Sequence, residues 1–111
     1  INMVRDCGAK KVFFASASPP VRFQNVYGID MPATKELIAH NKSVGQIKRY
    51  IGADELIYQD LADLKRAAQI GNPDIEEFED SVFSGNYCTG DVTQSFLKKL
   101  EASRDDSRRL Q

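Results

Sequence analysis

The feature that most constrains this chain is the apolar run Val12-Phe13-Phe14-Ala15, which follows Lys10-Lys11. It is too short for a helix and rich in strand-forming residues. Lacking polar alternation, it reads as a strand buried on both faces of a parallel sheet. Such a strand needs a neighbour on each edge and a helical layer on each side. Leu56-Ile57-Tyr58 supplies a second strand, and helical patterns lie between and after the two, so the order points to an α/β fold with a mainly parallel sheet. Two strands are too few to complete that sheet. The chain is therefore expected to be part of something larger, with the exposed strand favouring self-association or partial disorder.

The helical signals follow from caps and spacing. Ile1, Val4 and Cys7 recur at helical intervals before Gly8, without a capping residue ahead of them, and read as the last two turns of a helix. Pro19-Pro20 closes the strand region, and residues 21–32 form a long aromatic loop without helical period. A helix is expected from Thr34, with Glu36 in its first turn and Leu37, Ile38 and His40 towards its end. Ser43 and Gln46 form a capping box for the next helix, whose apolar face is Ile47, Tyr50 and Ile51 and whose stop is Gly52. Asp60 caps a helix carrying Leu61, Leu64 and Ala68. A turn at Gly71-Asn72-Pro73-Asp74 and the acidic stretch 76–80 lead to an expected extended piece over 82–87. Asp91 with Gln94 is expected to cap a last helix whose Val92, Phe96, Leu97 and Leu100 face a core.

Composition excludes several classes of function. The 111 residues carry a formal net charge of -1 and no basic stripe, so no nucleic-acid partner is expected. No run of about 18 apolar residues and no signal-peptide layout is present, so no membrane span is expected and the protein is placed in the cytoplasm. Cys7 and Cys88 are far apart, with no second ligand near either, and read as free thiols.

No catalytic constellation emerges. His40 reads as a residue at a helix carboxy terminus, interacting with the dipole. Neither cysteine has an activating partner nearby in sequence, and Gly45, Gly52, Gly71 and Gly85 stand singly rather than in a phosphate-binding loop. The acids from Glu76 to Asp80 lack metal-ligand spacing and read as a solvated face. The sequence is thus expected to hold no catalytic residue and no metal ligand.

Specific strings carry more than this. Gly8-Ala9-Lys10-Lys11-Val12, Val21-Arg22-Phe23, Asn25-Val26-Tyr27-Gly28-Ile29-Asp30-Met31-Pro32, Glu36-Leu37-Ile38-Ala39-His40, Ile51-Gly52-Ala53-Asp54 and Tyr58-Gln59-Asp60-Leu61 together resemble the glutamine phosphoribosylpyrophosphate amidotransferases (amidophosphoribosyltransferases). The order continues through Ser81-Val82-Phe83 and Thr89-Gly90-Asp91-Val92. The resemblance implies the carboxy-terminal portion of a type I phosphoribosyltransferase-like domain over residues 1–103, incomplete in this chain, with a frayed helical tail over 104–111. It implies an enzyme that releases ammonia from glutamine and adds it to phosphoribosyl pyrophosphate with magnesium, giving 5-phosphoribosylamine at the start of purine synthesis. The alternative is a non-catalytic α/β interaction or regulatory module.

By the same resemblance, the glutaminase nucleophile, the diphosphate loop and the magnesium ligands lie outside this segment. The implied partners are the amino-terminal glutaminase and upstream phosphoribosyltransferase residues, and a homo-oligomer is expected. Leu37 matches a position lining the family's apolar ammonia passage, although a leucine on a helix face is equally at home in a core. Tyr27 and Asp30 belong to the adjoining loop, with an ammonia-channel or interdomain role. Gln24 stands where relatives often have proline, Asn41 where glycine is common and Asp80 where many have cysteine. The positions corresponding to iron–sulfur ligands of one branch are Asn25, Glu79 and Val82, so no such cluster is expected.

Overall fold

A parallel pair of strands organises the chain. A computed structural model of the protein describes residues 1–109, with side-chain exposure described through Ser103. Strand β1, Phe13–Ala15, pairs with β2, Glu55–Ile57, with Phe13 opposite Glu55, Phe14 opposite Leu56 and Ala15 opposite Ile57. The ladder extends at both ends, through Asp54 N–H to the Val12 carbonyl (2.9 Å) and Ser16 N–H to the Ile57 carbonyl (2.8 Å). The fold is α/β, as the alternation of elements predicts, and β2 starts one residue earlier than its apolar residues suggest.

Helix α1, Asn2–Asp6, precedes β1, and α2, Val44–Ile51, packs beside β2. Ser43 and Gln46 make the expected reciprocal cap: Gln46 N–H donates to Ser43 Oγ at 3.3 Å, and Ser43 N–H donates to Gln46 Oε1 at 2.8 Å. Gly52 ends α2 at φ +72°, where a side chain would be strained. Helix α3, Leu61–Gln69, starts on Asp60, whose carboxylate accepts from the N–H groups of Ala62 and Asp63. These three features follow from local sequence alone.

The core is small. Ala39, Ile47 and Leu56 are buried together, with Ile38, Ile51 and Tyr58 packed against them. Beside them lies an apolar hollow of about 380 Å³, walled by Phe14, Ile38, Ile47, Ile51, Leu56 and Tyr58. The register puts Phe13, Ala15, Glu55 and Ile57 on the opposite face, and all four are exposed. β1 is thus not enclosed as its sequence predicts: Phe13 is 62% and Phe14 48% exposed, because β2 is its one neighbour among the described residues and no helix covers the face of Phe13. The accessible surface, 8165 Å², exceeds the about 6,100 Å² of a compact monomer of this mass. The radius of gyration of 17.1 Å likewise exceeds about 13 Å.

Three local expectations are corrected. The helix expected from Thr34 is a single 3-10 turn, Thr34–Glu36. The Glu36 carboxylate accepts from Ala33 N–H at 3.0 Å, and Leu37 then takes an extended conformation that ends the turn. The extended piece expected over 82–87 begins instead as a one-turn helix, α4, Ser81–Ser84, where the Asp80 carbonyl accepts from Phe83 and Ser84 N–H. The last helix, α5, Gln94–Arg109, is capped by Thr93 rather than Asp91: Thr93 Oγ1 accepts from Phe96 N–H at 3.2 Å. Val92, Leu97 and Leu100 are half-buried while Phe96 is exposed. The side chains of the tail from 104 to 111, expected to fray, lie outside the described residues.

Candidate functional site

The loop over residues 21–32 has no regular structure, so its shape depends on side chains. Asn25 is buried, and its Oδ1 accepts from Tyr27 N–H at 2.8 Å and Ile29 N–H at 3.1 Å. That double bond to the backbone turns the chain at Tyr27-Gly28 and presents Ile29 and Asp30 outward. The carboxy-terminal half of the chain holds the loop from the other side. Tyr27 Oη hydrogen-bonds Thr89 Oγ1 at 3.1 Å, and its ring meets Tyr87 edge-on with centroids 6.2 Å apart. Tyr87 Oη donates to the Gln24 carbonyl at 2.8 Å.

The start of the loop is fastened to α4 and to the 39–42 turn. Arg22 and Phe23 N–H groups both donate to the Val82 carbonyl, at 2.9 and 3.1 Å. The Phe23 ring lies against Gly85, leaving no room there for a β-carbon. The Arg22 guanidinium donates to the carbonyls of Ala39 (2.8 Å) and Lys42 (2.9 Å), and His40 Nδ1 donates back to the Arg22 carbonyl at 2.9 Å. Within this turn Asn41 takes φ +56°, a conformation asparagine tolerates better than most residues and glycine best.

Of the residues singled out from sequence, Tyr27 and Asp30 share the loop and are exposed. Tyr27 borders one groove with Val92, Phe96 and Thr89, and Asp30 borders another with Asn25, Ile29 and Leu100. Leu37 is half-buried at the end of the 3-10 turn, on a different segment. His40 is tied to the Arg22 carbonyl rather than lying at a helix end. Cys7 and Cys88 are both free and exposed. Of the positions expected from the resemblance to correspond to cluster ligands, Asn25 shapes the loop, Glu79 accepts from Ser81 N–H at 3.0 Å and Val82 is half-buried.

Two acids do structural work that the sequence reading missed. Asp54 Oδ2 accepts from Val12 N–H at 2.7 Å and from the Arg5 guanidinium at 2.8 Å, tying α1 and β1 to the start of β2. The Val12 hydrogen bond, and then Arg5, hold its carboxyl below the usual value. Asp80 is not on a solvated face but buried, paired with Lys65 and accepting from Ser84 Oγ at 2.6 Å. Burial pushes its pKa up, while Lys65 and Ser84 outweigh that and leave it lowered. Burial, with Glu79 and Tyr27 nearby, raises Tyr87 above its usual value, which keeps its hydroxyl a donor. Asn25 had a recognisable signal, since asparagine two residues before a Tyr-Gly turn suits this role. The pairs Arg5–Asp54 and Lys65–Asp80 join distant segments and had none.

No family model matches the chain. Among curated proteins it is 57% identical over 106 residues to the amidophosphoribosyltransferase of Escherichia coli (strain K12) and 51% over 107 residues to that of Pseudomonas aeruginosa. It is 43% identical over 105 residues to the amidophosphoribosyltransferase of Saccharomyces cerevisiae. These alignments cover 96%, 96% and 95% of the chain, but 21%, 21% and 20% of the relatives. Along 96% of its own length, then, the chain is similar to amidophosphoribosyltransferases, and it spans about a fifth of theirs.

Proposed function

We propose that this chain serves as the carboxy-terminal part of the phosphoribosyltransferase domain of an amidophosphoribosyltransferase. The whole enzyme would move glutamine-derived ammonia onto phosphoribosyl pyrophosphate, giving 5-phosphoribosylamine in the first step of purine synthesis. The observation that carries this reading is identity of 43–57% to amidophosphoribosyltransferases from bacteria and yeast over nearly all of the chain. Its own contribution is structural: it supplies two parallel strands and a fastened loop, and leaves glutamine cleavage, magnesium and diphosphate binding to residues elsewhere in the enzyme. A cytoplasmic, homo-oligomeric enzyme is the setting proposed, and no helix among the described residues is long and apolar enough to cross a membrane.

The chemistry supports that division. Displacing pyrophosphate calls for backbone donors and a metal cation at the phosphates. Leu37 is proposed to form part of an apolar wall along which ammonia passes, since such a wall excludes water and offers nothing to protonate it. The 111-residue chain alone should form no phosphoribosylamine, and robust turnover by it would overturn the reading. In the full-length enzyme, Leu37→Ala should lower glutamine-dependent synthesis while leaving glutamine hydrolysis and synthesis from added ammonia near their original rates. Equal loss of all three activities would make Leu37 simply a core residue.

A further inference from the structure

Residues 37–43, between the 3-10 turn and α2, belong to no helix or strand. Leu37, the wall residue of the proposed ammonia path, therefore owes its place to individual hydrogen bonds. Its N–H donates to the Thr34 carbonyl at 3.1 Å, and its carbonyl accepts from His40 N–H at 3.0 Å. Its backbone is extended, at φ −73° and ψ 115°, so no continuing helix fixes it. His40 is the far anchor of the turn that starts at Leu37, and Ile38 and Ala39 between them pack into the core.

His40 is itself held from the loop. Its ring Nδ1 donates to the Arg22 carbonyl at 2.9 Å, and the Arg22 guanidinium donates to the carbonyls of Ala39 at 2.8 Å and Lys42 at 2.9 Å. All three bonds run to one residue and are part-buried, where a lost hydrogen bond is not simply exchanged for one to water. On the near side of Leu37, Glu101 of α5 accepts from Lys35 N–H at 3.4 Å. The segment carrying Leu37 is thus set by side chains from the loop and from α5.

We propose that Arg22 and His40 are positioning residues for ammonia transfer, holding Leu37 in the wall without touching a reacting group. This rests on the reading of Leu37 as a wall residue and adds the groups that place it. An apolar wall retains ammonia only while it is closed, and at such sites a displacement of about 1 Å is costly.

The test uses the full-length enzyme and the ratio of phosphoribosylamine formed to glutamine hydrolysed. His40→Phe keeps a ring without the donor, and should lower that ratio by about threefold or more while synthesis from added ammonia stays near the parent rate. His40→Asn sets an amide NH₂ where Nδ1 stood and should restore the ratio. Arg22→Met, which keeps an apolar stem without the donors, should act as His40→Phe does. Leu37→Ala combined with His40→Phe should couple no worse than Leu37→Ala alone, because two residues acting through one group are not additive. Multiplied losses in the double variant or failure of His40→Asn to restore the ratio would overturn the proposal. A parallel fall in ammonia-dependent synthesis would also overturn it, making His40 a residue of the fold alone. If Leu37→Ala lowers the ratio and His40→Phe does not, this proposal falls and the wall reading stands; if Leu37→Ala leaves the ratio unchanged, the wall reading falls and takes this one with it.

Discussion

Arg22 and His40 hold each other reciprocally: the Arg22 guanidinium donates to the carbonyls of Ala39 and Lys42 on either side of His40, and His40 Nδ1 donates to the Arg22 carbonyl. Within the 39–42 turn the Ala39 carbonyl accepts from Lys42 N–H at a long 3.5 Å, and the guanidinium gives both it and the Lys42 carbonyl a closer donor. This clasp joins the start of the loop to the entrance of α2.

Arg22→Lys tests the clasp. Both bonds come from one terminal nitrogen, Nη1, and the lysine side chain, one atom shorter, ends its ammonium before the position that nitrogen occupies. The variant should lose about 1–3 kcal/mol of stability, from a charge-assisted hydrogen bond and a carbonyl left unmet. Urea unfolding of the intact protein measures this, and an unchanged midpoint would show that water serves those carbonyls equally well.

Asp54 gives a pH dependence of defined sign. Its folded pKa lies below the ordinary 3.8, so between the two values the unfolded state binds more protons than the folded one. The stabilisation from Arg5 and Val12 is therefore present above about pH 4 and is lost as the pH falls through the depressed folded value. Stability of the parent measured from pH 6 down to pH 2 should fall more steeply than that of Asp54→Asn, which cannot titrate. Parallel curves would exclude Asp54 as a source of the acid sensitivity.

Gly85 ends α4 at φ +80°, with the Phe23 ring 2.9 Å from where a β-carbon would stand. Gly85→Ala meets two costs, the left-handed backbone at about 1–2 kcal/mol and displacement of the ring. In a Phe23→Leu background the steric part should shrink while the backbone part remains. Calorimetric melting of the two single variants and the double variant separates them, and strict additivity would remove the proposed contact.

Much of the fold was legible because its signals are local. Ser43 with Gln46, Asp60 before Leu61 and Gly52 after Ile51 each satisfy helix ends using residues within a few positions. The misread segments are those in which a side chain outcompetes local pattern. Glu36 folds back on Ala33 N–H and confines a helical-looking stretch to one turn, and Asp80 nucleates α4 where Val82-Phe83 suggest a strand. The candidate loop was visible as a string but not as a shape, since Tyr27 reaches Thr89 across 62 positions and Arg22 reaches the 39–42 turn without any periodic trace. Which side chains grip distant backbone is a property of the assembled chain.

The exposed face of the β-sheet leads to the last prediction. Phe13, Ala15 and Ile57 lie side by side there, with Phe13 at 62% and Ile57 at 57% exposure, on a pair of strands whose outer edges are unpaired among the described residues. Apolar side chains beside open edge donors and acceptors favour strand addition and association between molecules. The chain alone should therefore self-associate with rising concentration in light scattering. Phe13→Lys with Ile57→Lys places two like charges on that face, on the side of the sheet opposite the buried Leu56, and should shift the distribution towards monomer. A parent chain that stays a stable monomer throughout the concentration series would show that this face does not drive association. If the double variant associates as the parent does, the contact lies instead at the apolar hollow beside Ile38 and Ile51.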